Sequence, residues 1–242
     1  MNNLLIVIPS RLDSKRLKNK PLRKIGQFTL IELVYKNIKL LKNYKILVAT
    51  DSKEISKVCI SNKIPYLITK KHKTGSDRVA EVSQKKKFNW ILNLQGDEPL
   101  IDLTDVKNLI KNTLNFHKKR RNFVVSTLFV KKKFKKNFMN EVKLSINSKN
   151  EVITFTRKKL LCNKKKREYY KHLGIYLYKS NFLKIFSKLK KTNSEINENL
   201  EQLRILDNGY KIIAFRAKND SIGVDTYEDL KKVRKKFKKN FL

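Results

Sequence analysis

Glycine and proline are scarce in this chain, with 6 and 4 among 242 residues, and cysteine is scarcer still at 2. Cys59 and Cys162 stand far apart without metal-ligand spacing, which argues against a disulfide framework or a zinc site and favours buried or incidental thiols. The apolar run at the start, residues 1–8, is too short for a transmembrane helix and lacks a basic leader or a small-residue cleavage site. The expectation is a cytoplasmic protein with no membrane partner. Acidic residues are also few, 21 against 58 basic ones, for a formal net charge of +37.

That charge invites a nucleic-acid reading, because clustered lysines and arginines neutralise phosphates and release counterions. The cations are instead spread along the whole chain, not gathered on one face with interleaved aromatics. Heavy use of Lys, Asn and Ile beside so little Gly and Pro fits a whole-chain bias towards residues with adenine- and thymine-rich codons. A nucleic-acid partner is therefore the weaker reading. The positive field should still attract anionic substrates and make their binding sensitive to salt.

The length suits one compact α/β unit with a core that needs no staples. Leu4-Leu5-Ile6-Val7-Ile8 is a continuous apolar run, the pattern of a strand buried on both faces of a parallel sheet. Helical spacing over 29–41, with Thr29 and Glu32 as a capping box, predicts a helix returning over that sheet. Strands are expected at 45–49, 65–68, 88–92, 123–130 and 210–215, and helices at 54–60, 103–110, 182–189, 198–206 and 227–237. Asp51 reads as the cap of the helix that follows it, and Ser76 or Asp77 as a cap of the next. Asp102, Thr104 and Asp105 are candidate caps for the helix after 103. The charge run 131–136 reads as a solvated connection, and 142–146 with 152–155 as an antiparallel hairpin turned by Asn147-Ser148-Lys149-Asn150. The basic segment 158–171 is the candidate mobile loop. The β-α alternation predicts a three-layer, mostly parallel, Rossmann-like sheet over 1–242, with 131–180 as a hairpin and loop insertion.

Candidate chemistry gathers where strands end. Gln95-Gly96-Asp97-Glu98-Pro99 follows an apolar strand and delivers Asp97 to the rim of the sheet, where Gly96 permits close backbone approach. Ile222-Gly223-Val224-Asp225-Thr226 brings a second aspartate to a similar terminus. Both could be turn or capping residues; with phosphate-binding cations elsewhere, a magnesium nucleotide site is the sharper reading. Arg11, Arg16 and Lys20, five and four residues apart after the first strand, could wrap one triphosphate, although alone they read as a solvated basic loop. Gly75-Ser76-Asp77-Arg78 opens a helix and could offer donors to an anion or a base edge. On the strand 172–178, His172, Gly174, Tyr176 and Tyr178 share one face and form a candidate polar pocket floor.

Taken in order, Ile8-Pro9-Ser10-Arg11, Arg16-Leu17, Lys20-Pro21-Leu22, Thr50-Asp51, Gly75-Ser76-Asp77-Arg78, Asn93-Leu94-Gln95-Gly96-Asp97-Glu98-Pro99, His172-Leu173-Gly174-Ile175-Tyr176, Leu200-Glu201-Gln202-Leu203-Arg204 and Gly223-Val224-Asp225-Thr226 resemble the 3-deoxy-manno-octulosonate cytidylyltransferase family, the CMP-Kdo synthetases. The resemblance implies a nucleotidyltransferase fold with an antiparallel sugar-pocket and dimerisation insertion, and a homodimer. The implied reaction moves CMP from CTP to the anomeric hydroxyl of Kdo, releasing pyrophosphate, before that sugar enters lipopolysaccharide. Residue by residue, it implies Asp97 and Asp225 as Mg2+ ligands, and Arg11, Arg16 and Lys20 on the triphosphate. Ser76 and Arg78 would serve the cytidine, and Gln95, Arg157, His172, Tyr176, Glu201 and Gln202 the sugar. It implies no covalent enzyme intermediate, and Glu98 receives only a supporting place in its loop.

The chain also departs from the family, which usually carries Pro-Gly at 18–19, Asn-Pro-Asn near 138–140, Ala-x-Ile-Pro at 158–161 and Pro at 227. None of these changes removes a charged site residue, but they bear on loop rigidity. A cytidylyltransferase for another acidic sugar, such as sialic acid, is the neighbouring reading, because Arg11 with Ser14-Lys15-Arg16 vaguely resembles that family. Gln95-Gly96-Asp97-Glu98-Pro99 and Gly223-Val224-Asp225-Thr226 favour the Kdo branch.

Overall fold

The computed structural model describes residues 3–14, 16–119, 122–134, 141–158 and 167–241. Cys162 and most of the segment expected to be mobile, 158–171, lie outside them, as do 135–140. The chain divides into two compact units, one of Met1–Leu103 with Ser221–Leu242 and one of Thr104–Asp220.

In the first unit, β1 (Leu4–Pro9) is buried along its whole length, as a continuous apolar run in a parallel sheet should be. A small hairpin, β2 (Lys24–Ile25) and β3 (Phe28–Thr29), leads into α1 (Leu30–Lys39), which starts with the expected Thr29–Glu32 capping box. Then come β4 (Lys45–Thr50), α2 (Lys53–Ser61), β5 (Tyr66–Ile68), α3 (Gly75–Lys85) and β6 (Trp90–Asn93). β1 pairs in parallel with β4 and β6, and β4 with β5, giving the order β6-β1-β4-β5. All four strands therefore end at one rim, where ligands of open parallel sheets bind.

Two capping assignments change. Ser52, not Asp51, caps α2 by accepting from the Ile55 amide, which leaves the Asp51 carboxylate for another partner. Thr74, not Ser76 or Asp77, caps α3; its hydroxyl accepts from the Asp77 amide and donates to the Asp77 carboxylate.

The second unit contains α4 (Leu103–Lys119), β7 (Val125–Lys133), β8 (Lys143–Ile146), β9 (Val152–Thr156), β10 (Glu168–Lys179), α5 (Ser180–Phe186), α6 (Asn193–Glu198), α7 (Leu203–Asp207) and β11 (Ile212–Arg216). β11 runs parallel to β7, and β10 antiparallel to it. β8 and β9 form the expected hairpin, with the Asn147 side chain accepting from the amides of Lys149 and Glu151 across the turn. The Asp105 carboxylate accepts from the amides of Lys218 and Asn219.

The first part of the expected solvated run at 131–136 is instead the end of β7. There Lys131 pairs with Glu168, and Lys132 with Glu141 and Asp220. The helix expected over 198–206 is broken at Asn199, which takes a left-handed φ of 52° and ends α6; Glu201 and Gln202 lie in the turn before α7. Gln202 is buried there beside Leu203, Arg204 and Ile205. The chain then returns to the first unit as α8 (Tyr227–Phe241), where Thr226 and Asp229 make a reciprocal cap that does not need proline at 227.

Candidate active site

The rim of the first unit holds the carboxylates where the sequence places them. A Cβ on Gly96 would stand 2.9 Å from the Pro9 carbonyl oxygen, so the loop after β6 passes the end of β1 more closely than any side chain allows. The Val224 amide donates to the Asp97 carbonyl at 2.9 Å, and the Ser221 hydroxyl donates to the Glu98 carboxylate. Glu98 thus takes the supporting role: it ties the segment carrying Asp97 to the one carrying Asp225.

Lys20 lies between the two aspartates. Its ammonium donates to Asp97 Oδ2 at 2.6 Å and to Asp225 Oδ1 at 3.1 Å. Burial alone would lower the Lys20 pKa, but the two carboxylates outweigh it and hold the ammonium above its usual range. Burial likewise opposes ionisation of Asp225, and Lys20 and Arg16 overcome it and keep that carboxyl low. Arg16 adds a contact to Asp225 Oδ2 at 2.9 Å, though its side chain is 64% exposed and the pair is weakened by water. Arg11 donates to the Lys73 carbonyl at 2.8 Å.

The turn that presents Lys20 also explains one departure from the family pattern. Asn19 sits at φ 54°, a left-handed conformation that glycine adopts freely and that asparagine tolerates better than other side chains. Lys20 then opens a 3-10 turn, Lys20–Leu22, in which Pro21 is buried.

Ser76 and Arg78 lie in the first turn of α3 and are both buried. Arg78 is only 2% exposed; its guanidinium donates to Thr69 Oγ1 and lies 3.0 Å from Asp51 Oδ1. That last contact is an ion pair without hydrogen-bond alignment, since Arg78 Nη2 makes no hydrogen bond among the described residues. Sequence reasoning assigned Arg78 to the cytidine but missed Asp51 as its partner; the signal was the Thr50-Asp51 pair itself. Gln95 donates to the Asn93 side-chain oxygen at 3.1 Å, which fixes its amide at the same rim. Ser10 Oγ and Asn93 Nδ2 are buried there without a hydrogen-bond partner among the described residues.

The second unit gathers most of the remaining candidates. His172 packs against Phe155 and Tyr176, with ring centroids 5.0 and 5.2 Å away. β10 carries two extra residues opposite β7 between Leu173 and Tyr176, an even number, so His172 and Tyr176 stay on the same face. Thr127, which sequence reasoning missed, fills that bulge. Its hydroxyl meets the Ile175 carbonyl at 2.7 Å and His172 Nε2 at 3.0 Å. A hydroxyl has one proton, and the carbonyl can only accept it, so His172 Nε2 is the donor in the second contact.

Burial, followed by the charge of Lys171, brings the His172 pKa down to about 3, and the ring is neutral. Tyr176 is held well above its ordinary pKa by burial, then by Tyr178 and the Glu201 carboxylate, which places Glu201 within electrostatic reach of Tyr176. Arg157 is an exposed residue with a fixed backbone: Lys143 donates to its carbonyl at 2.8 Å, and its amide donates to Glu198 at 3.1 Å. Gln202 is buried in the turn described above.

A family model described as Cytidylyltransferase matches residues 5–212. A 3-deoxy-manno-octulosonate cytidylyltransferase of Fusobacterium nucleatum subsp. nucleatum is 38% identical over 240 residues, covering 97% of this chain and 96% of that protein. The chain belongs to the 3-deoxy-manno-octulosonate cytidylyltransferase family. A member from Francisella tularensis subsp. holarctica is 37% identical over 252 residues, covering 98% of this chain and 99% of its own. The solved structure of CMP:2-keto-3-deoxy-manno-octonic acid synthetase complexed with CTP matches with a TM-score of 0.90 and 30% identity, over 99% of this chain and 100% of that one. The expected Rossmann-like nucleotidyltransferase fold, a mostly parallel sheet with flanking helices, is the fold of this cytidylyltransferase.

Proposed function

We propose that the protein transfers CMP from CTP to the anomeric hydroxyl of 3-deoxy-manno-octulosonate (Kdo), releasing pyrophosphate. One observation in the chain carries this reading: two carboxylates at a parallel-sheet rim, bridged by a cation, in a chain whose relatives bear that activity in their names. The reaction brings a sugar carboxylate against a triphosphate, so positive charge and positioning are its main demands.

Asp97 and Asp225 point at one cation, Lys20, and their hard oxygen donors fit Mg2+. Among the described residues no group of three or more His, Cys, Asp or Glu side chains could hold a metal ion, so the rest of the shell around an ion on these two carboxylates would have to come from phosphate and water. When bound, magnesium would offset the negative charge of the phosphate oxygens. Arg11, Arg16 and Lys20 take the triphosphate. Ser76 and Arg78 serve the cytidine, and the buried donors Ser10 Oγ and Asn93 Nδ2 are polar groups that a ligand at this rim would satisfy. Gln95, Arg157, His172, Tyr176, Glu201 and Gln202 are assigned to the sugar. His172, neutral and donating through Nε2, acts there by shape and hydrogen bonding and not as a charged group.

The product would feed lipopolysaccharide assembly from the cytoplasm, with the enzyme working as a homodimer; light scattering reads its mass. Pyrophosphate release by the purified protein with Mg2+, CTP and Kdo tests the reaction, run beside sialic acid and the other nucleoside triphosphates. No turnover with Kdo, or equal turnover with every sugar, refutes it. Asp97→Asn should abolish turnover and leave the circular dichroism spectrum unchanged, because it removes a metal ligand and not a core contact.

A further inference from the structure

We infer that Lys20 holds the place of the divalent cation between Asp97 and Asp225 when no metal is bound, so that metal can enter only as the ammonium leaves. This deepens the magnesium reading given above and rests on it. The bridging contacts, at 2.6 and 3.1 Å, put one positive charge at the point on which both carboxylates converge. An ion ligated by both would compete with the ammonium for those oxygens.

The backbone under Lys20 is fixed by the 3-10 turn and the buried Pro21, so the side chain is the part that moves. A lysine suits this task, being a compact charge on a flexible four-carbon stem with rotatable donors. The local charge explains why the exchange needs the nucleotide. Asp97 and Asp225 carry two negative charges, and Lys20 and Arg16 two positive ones, so the cluster is neutral. Adding a divalent ion leaves two positive charges in excess, one of them a displaced ammonium without its partners. A triphosphate supplies the missing negative charge and receives the ammonium. Metal and nucleotide should therefore bind together, and metal alone should bind weakly.

The test is Mn2+ binding to the full chain without nucleotide, read by electron paramagnetic resonance. Lys20→Met should bind Mn2+ at least about tenfold more tightly than the wild type, since the competing charge is gone. Lys20→Arg, which keeps a bridging cation, and Lys18→Met, which removes a neighbouring exposed charge, should stay near the wild type. Unchanged or weaker binding in Lys20→Met, or equal tightening in Lys18→Met, overturns the exchange; the second result would reduce it to the general field of the chain.

Adding Asp97→Asn to Lys20→Met separates the two ideas. Loss of the tight site supports both, and its survival means that the metal lies elsewhere, so both fall. If Lys20→Met gains nothing while Asp97→Asn still abolishes turnover, the exchange alone is refuted. Thermal melts of metal-free protein report whether each variant is folded; if Lys20→Met is not, Lys20→Gln takes its place with the same expected tightening.

Discussion

His172 makes the stability of this protein depend on pH in a way that can be calculated. In the unfolded chain a histidine titrates near pH 6.5, and in the fold burial holds His172 near 3. Between those values the unfolded state binds more protons, so the contribution of the neutral ring is complete above about pH 6.5 and is lost as the pH falls towards 3. From pH 7 to pH 5 the loss is about 2 kcal/mol, or about 4–8 °C in Tm for a chain of this size. Other groups titrate over the same range, so the informative quantity is the difference between the wild type and His172→Gln. The variant keeps a donor for Thr127 but has no imidazole; it should be less stable throughout and should lack this share of the pH 7 to 5 decline. Ring 15N shifts should show the Nε2–H tautomer unchanged at pH 5. An equal decline in both proteins, or an imidazolium at pH 5, would falsify the account of a buried, neutral His172.

Three further substitutions probe the frame around the site. Gly96→Ala places a methyl group 2.9 Å from the Pro9 carbonyl; it should cost about 1–3 kcal/mol in denaturant melts and slow turnover by shifting Asp97. Asp51→Asn leaves the buried Arg78 without its ion pair and should raise KM for CTP more than it lowers kcat; equal kinetics would remove Asp51 from the nucleotide side. Arg204 and Glu195, each 4% exposed and joined in a two-pronged pair, should lose about 3–5 kcal/mol in Arg204→Met, and a urea midpoint near the wild-type value would refute that.

The longer strands and helices of the first unit were legible because each is local, whereas the short hairpin of β2 and β3 was not expected. The run Leu4–Ile8 is buried on both faces, and the Thr29–Glu32 box forms where the sequence puts it. What the sequence concealed was competition between neighbours. Asp51 and Ser52 can each cap α2; Ser52 does so, and the Asp51 carboxylate lies against Arg78, 27 residues after it. The same applies to Lys131 and Lys132, which look solvated until Glu168, Glu141 and Asp220 arrive from distant segments. The break at Asn199 escaped notice because leucines at 200, 203 and 206 keep helical spacing across it.

The site shows the same limit more sharply. Residue type and position after a strand made Arg11, Arg16 and Lys20 candidates for a triphosphate and Asp97 and Asp225 candidates for a metal, with a solvated loop and turn or capping residues as the alternatives; the resemblance to the family is what favoured the first reading. Nothing in the order of residues says that the two sets should bind each other first. That follows from the turn at Asn19, which aims Lys20, and from Ser221, Glu98 and Val224, which hold the two aspartates close enough for one ammonium to reach both. Arg11, Arg16 and Lys20 each already have an acceptor within the protein, which a phosphate would have to compete with. A strongly basic chain gains from this arrangement: cations committed to fixed acceptors are less available to stray anions than free ones are. Under the proposed exchange, a metal-bound triphosphate would be selected because it supplies both halves, a cation for the carboxylates and oxygens for the released side chains.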